Sequence, residues 1–394
     1  MMHPLRAANV TGKRVLVRED LNVPMQGGHV TDIKRIEAAL PTIRYLVEQN
    51  AKVIIVSHLG RPDGKPDPKY TLKPVADTLS KMLAIDVTFA QDTVGPSAHN
   101  AIAQMREAQI VLLENVRFEP GEESNDPAFA KQLAELADIY VNDAFGTAHR
   151  AHASTEGVAH LLPAYAGFLM QAEIDALSKL VNDPVEPYVC AIGGAKVKDK
   201  VGVFTKLMEK VQTFCIGGGM ANTFLAAQGV DVGKSLKDSD LGPATQIIAL
   251  AKDRGVSLLL PVDAVVSDSF DNDAGAHVVD LSGIGDAMIL DIGPKTGEIY
   301  AAAITGARTV VFNGPMGVYE KAAYREGTKR IGEAMTTATE NGAVTIVGGG
   351  DAAAAAEELG FAGKVTHVST GGGATLEFLE GKTLPGIKAL EAAR

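Results

Sequence analysis

Residues 188–200 read YVCAIGGAKVKDK: an apolar run, two adjacent glycines, then lysines at 196 and 200 spaced four apart. A short apolar run without alternation suits a strand covered on both faces of a parallel sheet. Glycines directly after it mark a strand-to-helix turn where the backbone must stay bare. Working outward, the same reading gives later strands at Thr213–Ile216, Ser257–Pro261, Met288–Asp291, Thr309–Phe312, Val344–Val347 and Thr366–Val368. Earlier strands are predicted at Arg14–Arg18, Val53–Ser57, Val87–Ala90, Ile110–Glu114 and Ile139–Asn142. Helical segments fall between them near Ile33–Glu48, Leu72–Leu83, Ala98–Met105 and Pro127–Leu136, with Pro41 expected to kink or break the first. Strands alternating with helices at this spacing predict parallel sheets flanked by helices. The stretch Gly167–Asn182, GFLMQAEIDALSKLVN, carries one apolar stripe and reads as a connecting helix before the alternation restarts. The chain after Gly373 is too short for a domain and must pack on something already built.

A length of 394 residues, at roughly 100–200 per domain, suits two domains. With 46% hydrophobic and 22% charged residues the chain can bury ordinary cores. A net charge of −11 argues against general affinity for nucleic acid or an anionic membrane, though not against a small anionic substrate. Cys190 and Cys215 each lie in an apolar run, which fits a reducing compartment, and no signal core or membrane-length apolar stretch is present. A cytoplasmic location is therefore expected. Of 41 glycines, 10 precede Cys190 and 31 follow it.

Several of those glycines fall in loops directly after predicted strands: Gly193-Gly194, Gly217–Gly219, Gly348–Gly350 and Gly371–Gly373. In parallel sheets such loops sit at the carboxyl edge, where helix N-termini present free N–H groups to anions. Gly229–Ser235 imitates a phosphate-binding loop but has three residues between its glycines where four are required, and no dinucleotide fingerprint fits. Lys196 and Lys200 should share one helical face as a phosphate clamp. Asp351, after three glycines, reads as an N-cap, a magnesium ligand, or both.

The first half supplies Arg18, Asp20, Asn22, Arg35, His58, Arg61, Arg117, His149, Arg150 and His152, nearly all just past a predicted strand end. Several guanidinium groups and a histidine aimed at one cleft suit a small, highly anionic ligand. The bland alternative pairs each arginine with a nearby acid such as Glu19, Glu114 or Asp143.

The ordered motifs RVLVREDLNVP, SHLGRPDG, LLENVRF, NDAFGTAHRAHAS, GGAKVKDK, GGGMANTF, FNGPMGVYE, GGGD and STGGGATLEFLEGK resemble the phosphoglycerate kinase family along essentially the whole chain. That resemblance implies two similar-sized α/β domains, each a Rossmann-like parallel sheet flanked by helices, joined by a hinge helix. The divisions are 1–166 for 3-phosphoglycerate, 167–184 for the interdomain helix, 185–373 for the nucleotide, and 374–394 returning to the first domain. It assigns the triose to Asp20, Asn22, Arg35, His58, Arg61, Arg117 and Arg150. Arg18 is set apart as a strand-end ion pair, and His149 as supporting. For the nucleotide it implies Lys196 and Lys200 at the phosphates, Gly349 and Gly350 beside them, Glu320 at the ribose and Asp351 at Mg2+. Gly193, Gly218, Gly293 and Val318 would line the adenine region, and Gly372 and Gly373 would meet the transferred phosphoryl group. Arg35, Lys196, Gly372 and Gly373 form the implied catalytic set.

The implied partners are 3-phosphoglycerate or 1,3-bisphosphoglycerate and ATP or ADP, used by a monomer. Two local departures stand out: Ala352 where the family commonly has Thr or Ser, and FNGP where a Trp often opens the motif. A glycerate carboxylate is ionised near neutrality, so the reaction needs positioning and charge stabilisation rather than a general base.

Overall fold

The apolar runs become the strands of two six-stranded sheets in a computed structural model that describes residues 2–393. One unit runs through Asp175 and resumes at Thr383; the other is Ala176–Lys382. The first unit contains β1 (Arg14–Arg18), a small hairpin of β2 (Met25–Gln26) and β3 (His29–Val30), α1 (Lys34–Glu48), β4 (Lys52–Val56) and α2 (Lys73–Leu83). It continues through β5 (Val87–Phe89), α3 (Pro96–Ala103), β6 (Ile110–Leu112), α4 (Pro127–Glu135), β7 (Ile139–Asn142), β8 (Ala164–Ala166) and the start of α5 (Phe168–Val181). Its sheet order is β5-β6-β4-β1-β7-β8, with every pair parallel. Arg18, ending β1, stands level with Val56 of β4 and Asn142 of β7. The loops leaving these three strands therefore emerge at one edge.

Helix α1 shows why the pattern was legible. Ile36, Ala39, Leu40, Ile43 and Leu46 are buried at spacings of three and four. Pro41 does not break it: the helix runs from Lys34 to Glu48 with the proline inside. An interior proline costs about 3 kcal/mol, whereas burying each large apolar side chain contributes about 1.5–3 kcal/mol, so the buried stripe outweighs the lost hydrogen bond. At the start of α5, Thr42 Oγ1 accepts from Phe168 N at 2.9 Å and Asp143 Oδ1 from Met170 N at 3.0 Å. These bonds satisfy helix-start N–H groups that lack intrahelical partners.

The second unit continues from α5 with β9 (Tyr188–Ile192), α6 (Val201–Leu207), β10 (Thr213–Ile216), α7 (Gly218–Ala227), α8 (Gly242–Arg254) and β11 (Ser257–Leu259). After β12 (Asp263–Ser267), β13 (His277–Asp280) and β14 (Met288–Ile292) come α9 (Pro294–Thr305), β15 (Thr309–Asn313), α10 (Glu326–Glu340) and β16 (Val344–Val347). It ends with α11 (Gly350–Glu358), β17 (His367–Val368) and α12 (Gly373–Leu379), and α13 (Pro385–Ala392) follows in the first unit. The parallel sheet is ordered β11-β10-β9-β15-β16-β17. All five residues of β9 are buried, as the opening run requires.

Met288–Ile292 departs from expectation. It pairs antiparallel with β12 in a separate sheet ordered β13-β12-β14. An apolar run shows that a strand is buried but not which partner it takes. Residues 374–394 also divide: α12 packs on α6, and α13 packs on β8 and the turn Gly157–His160. Among the described residues, no helix is long and apolar enough to cross a membrane.

Candidate active site

Four strand ends of the first sheet deliver the basic residues. Arg18 ends β1, His58 lies two residues past β4, Arg117 sits in the turn Val116–Phe118 after β6, and Arg150 lies in the loop beyond β7. His58 is buried, and its imidazole is held well below its usual pKa by burial and by the charges of Arg18, Arg117, Arg35 and Arg150. Arg35, in the first turn of α1, forms an ion pair with Asp20. One glycine ties in two more groups: Gly60 N donates to Asn22 Oδ1 at 2.9 Å, and Arg117 Nη1 donates to the Gly60 carbonyl at 2.8 Å. Asp20, Asn22, Arg35, His58, Arg117 and Arg150 thus converge, and Arg61 follows Gly60 directly and is exposed.

The acids named as possible partners do not neutralise this cluster. Glu114 accepts from Leu72 N at 2.9 Å and Thr71 Oγ1 at 2.7 Å, and Asp143 accepts from the start of α5. Glu19 is buried with neither carboxyl oxygen hydrogen-bonded, and burial beside Asp143 raises its pKa well above the usual range. Arg117 Nε lies 3.3 Å from Glu123 Oε1, at ion-pair distance but off hydrogen-bond alignment. Arg18 is not the ion pair expected. Its hydrogen bonds go to Ser154 Oγ, the Glu19 carbonyl oxygen and His58 Nδ1. His149 Nε2 accepts from Arg150 Nε at 3.3 Å, and burial among the arginines lowers the His152 pKa to about 4.

In the second unit, Gly193, Gly217, Gly314 and Gly348 follow the ends of β9, β10, β15 and β16. A cavity of about 580 Å³ lies among the first three of these loops and β14, a volume suited to a small organic ligand. Of the expected residues, Gly218, Val318, Glu320 and Asp351 line it; Leu236, Phe270, Met288 and Tyr319 line it without having been anticipated. Gly193 and Gly293 lie behind the lining. A Cβ on Gly193 would stand 2.0 Å from the Pro315 carbonyl oxygen, and one on Gly293 would stand 2.2 Å from Asp263 Cγ. The protein's own packing demands these two glycines.

The two lysines do not share a helical face. Residues 197–200 form a single 3-10 turn, and the α-helix begins at Val201. Lys196 precedes that turn and is exposed. Lys200 Nζ donates at 2.7 Å to both the Gly193 and Asn313 carbonyls, and burial lowers its pKa to about 8. The turn is fixed from afar: Asp238 Oδ2 accepts from Val197 N at 2.9 Å and Lys198 N at 3.3 Å.

Asp351 is not an N-cap. Gly349 holds that position without a side-chain bond, and Asp351 lies in the first turn of α11, exposed and facing the cavity. No group of three or more potential metal ligands exists among the described residues. Asp351 offers the cavity one carboxylate, and magnesium is commonly held by one or two protein carboxylates with its other ligands from water or substrate phosphates. Gly349 and Gly350 start α11, while Gly372 caps α12 and Gly373 opens it. Ala352 is fully buried in the second core, and Phe312 packs edge-on to Phe361 with ring centroids 6.1 Å apart. Gly229–Ser235 is a turn between α7 and α8 in which Ser235 Oγ accepts from Ile289 N at 2.8 Å, so its hydroxyl serves the fold.

A sequence model described as phosphoglycerate kinase matches residues 5–382. A phosphoglycerate kinase of Chloroflexus aurantiacus is 55% identical over 394 residues, covering 99% of this chain and 98% of the relative. One from Moorella thermoacetica is 55% identical over 388 residues, covering 98% of each. The solved phosphoglycerate kinase structure from Coxiella burnetii has a TM-score of 0.91 at 43% identity and covers 99% of both chains. In sequence over nearly its full length, and in fold, the chain belongs to the phosphoglycerate kinase family.

Proposed function

We propose that the two sheet edges are the two substrate sites of one phosphotransferase. The enzyme is a phosphoglycerate kinase and its reaction is glycolytic: reversible phosphoryl transfer from 1,3-bisphosphoglycerate to ADP, giving 3-phosphoglycerate and ATP. The observation that carries the site assignment is the burial of His58 among Arg18, Arg35, Arg117 and Arg150. Arg35 has Asp20 and Arg117 has Glu123 at ion-pair distance, but four guanidinium groups around a desolvated ring still leave positive charge that suits an anionic ligand.

In this reading Asp20, Asn22, Arg35, His58, Arg61, Arg117 and Arg150 bind the triose within segment 1–166. Segment 185–373 binds the nucleotide. Val318 and Gly218 bound the base, with Gly193 and Gly293 supporting the wall behind it, and Glu320 takes the ribose. Lys196 and the helix start at Gly349-Gly350 meet the phosphates. Lys200 braces two carbonyls and adds its charge nearby. Asp351 holds magnesium, which when bound neutralises phosphate charge.

Arg35, Lys196 and the N–H groups of Gly372 and Gly373 stabilise the transferring phosphoryl group. Because the acceptor carboxylate is already ionised, no side chain has to remove a proton. Closure about helix 167–184 and the returning segment from Thr383 brings the substrates together and excludes water that would otherwise take the phosphoryl group. Both sites come from one chain, so a monomer suffices. Two free, buried cysteines accord with work in the cytoplasm.

A coupled assay with 1,3-bisphosphoglycerate and ADP should show ATP forming in proportion to enzyme. ATP at background levels would defeat the assignment.

A further inference from the structure

The His58 imidazole is held from behind. Arg18 Nη2 lies 3.1 Å from His58 Nδ1, and both side chains are buried. A guanidinium has only N–H groups to offer and stays protonated, so the contact has one polarity: Arg18 donates and Nδ1 accepts. The proton of the neutral ring then belongs on Nε2.

Arg18 is itself clamped. Its Nε donates to Ser154 Oγ at 2.8 Å, the Ser154 hydroxyl donates to Glu122 Oε1 at 2.6 Å, and Ser154 N donates to Glu122 Oε2 at 2.9 Å. Another guanidinium N–H goes to the Glu19 carbonyl. Ser154 and Glu122 are fully buried, so this chain of bonds has no competing water at its rear. The charges that act most on the ring are Arg18 from β1, Arg117 from the turn after β6, Arg35 from α1 and Arg150 from the loop after β7; the nearby acids Asp20 and Glu122 engage Arg35 and, through Ser154, Arg18.

Resting on the reading that His58 binds the triose, we propose that Arg18 is a positioning residue that fixes His58 as a neutral imidazole protonated at Nε2. Nε2 then presents a directed donor to an anionic oxygen of 3-phosphoglycerate. A neutral donor adds a hydrogen bond without handing over a proton, which keeps the triose anionic. Ser154 and Glu122 set the plane in which Arg18 meets the ring.

Ring-nitrogen NMR on 15N-labelled enzyme tests this, with His58 assigned from the spectrum of His58→Gln. Between pH 5.5 and 8.5, His58 should show an unprotonated Nδ1 and a protonated Nε2 without titrating, and saturating 3-phosphoglycerate should shift the Nε2 signal. In Arg18→Leu the ring should titrate within that range, and the KM for 3-phosphoglycerate should become pH-dependent there while the KM for ADP does not. A wild-type ring protonated at Nδ1, or titrating near its ordinary pKa, overturns the lock, and this wild-type measurement decides even where Arg18→Leu does not fold. A locked ring whose Nε2 signal ignores 3-phosphoglycerate instead defeats the triose reading of His58, and the positioning role with it. A folded Arg18→Leu enzyme with pH-independent KM also contradicts the proposal.

Discussion

At the edge formed by β1, β4, β6 and β7, positive charge is carried by side chains, several of them buried. At the edge formed by β9, β10, β15 and β16, bare backbone and two lysines occupy the corresponding places. The sheets share a plan, a first strand flanked on both sides by parallel neighbours, so the difference lies in the loops. Composition hints at this contrast, with 10 glycines before Cys190 and 31 after it. Geometry refines the hint, because a glycine in a ligand-binding half need not touch ligand. Gly193 answers to Pro315 and Gly293 to Asp263, whereas Gly218 lines the cavity.

Variants can break or sharpen that contrast. The largest effect is expected at Lys196: replacement by Ala should lower kcat by about 100–1,000-fold, the usual loss on removing one transition-state donor. Nucleotide KM should barely change, and unaltered turnover would remove Lys196 from the mechanism. Arg35→Ala should both raise the KM for 3-phosphoglycerate and slow turnover; wild-type kinetics there would sink the basic-edge reading.

Gly193→Ala should act on folding instead. Its Cβ would meet the Pro315 oxygen at 2.0 Å, so a loss of about 3 kcal/mol is expected, measurable as a lowered midpoint in urea. A wild-type midpoint would mean the loop yields easily. Asp351→Asn should move the magnesium titration of activity to higher concentration while leaving 3-phosphoglycerate affinity alone.

The smallest expected effect is a pH dependence confined to the basic edge. The His152 pKa is lowered to about 4 in the folded protein, below its ordinary value near 6.5. The unfolded chain therefore binds more protons between those values, and stability falls as pH drops from about 6.5 toward 4. His152→Gln should flatten that part of a melting-temperature profile; an unchanged slope would place the acid sensitivity elsewhere.

Much of this was legible because burial writes itself into sequence. Runs such as Arg14–Arg18, Ile139–Asn142 and Tyr188–Ile192 coincide with strands, and the basic residues past their ends converge because parallel strands share a carboxyl edge. What escaped depends on distant partners. The turn at 197–200 is set by Asp238, about forty residues away. Pro41 was tolerated because the sheet beneath α1 outweighs its local cost. Strand β13 is short and mostly exposed, so it left no apolar signature, and nothing in the run Met288–Ile292 announces its antiparallel pairing with β12. Arg18 looked like an ion pair because neighbouring acids are visible in sequence, whereas the Ser154 hydroxyl and Glu122 behind it are brought there by the fold. Phe270 and Leu236 wall the cavity from loops that carry no nucleotide motif.

The central claim is that each edge holds its own substrate. Calorimetric titration of Arg61→Ala and Glu320→Ala with 3-phosphoglycerate and, separately, with magnesium ADP tests it most directly. Arg61→Ala should lose 3-phosphoglycerate affinity and keep that for the nucleotide, and Glu320→Ala should do the reverse. If each variant weakens both ligands equally, or if Arg61→Ala weakens only the nucleotide, the division of the two sites is contradicted.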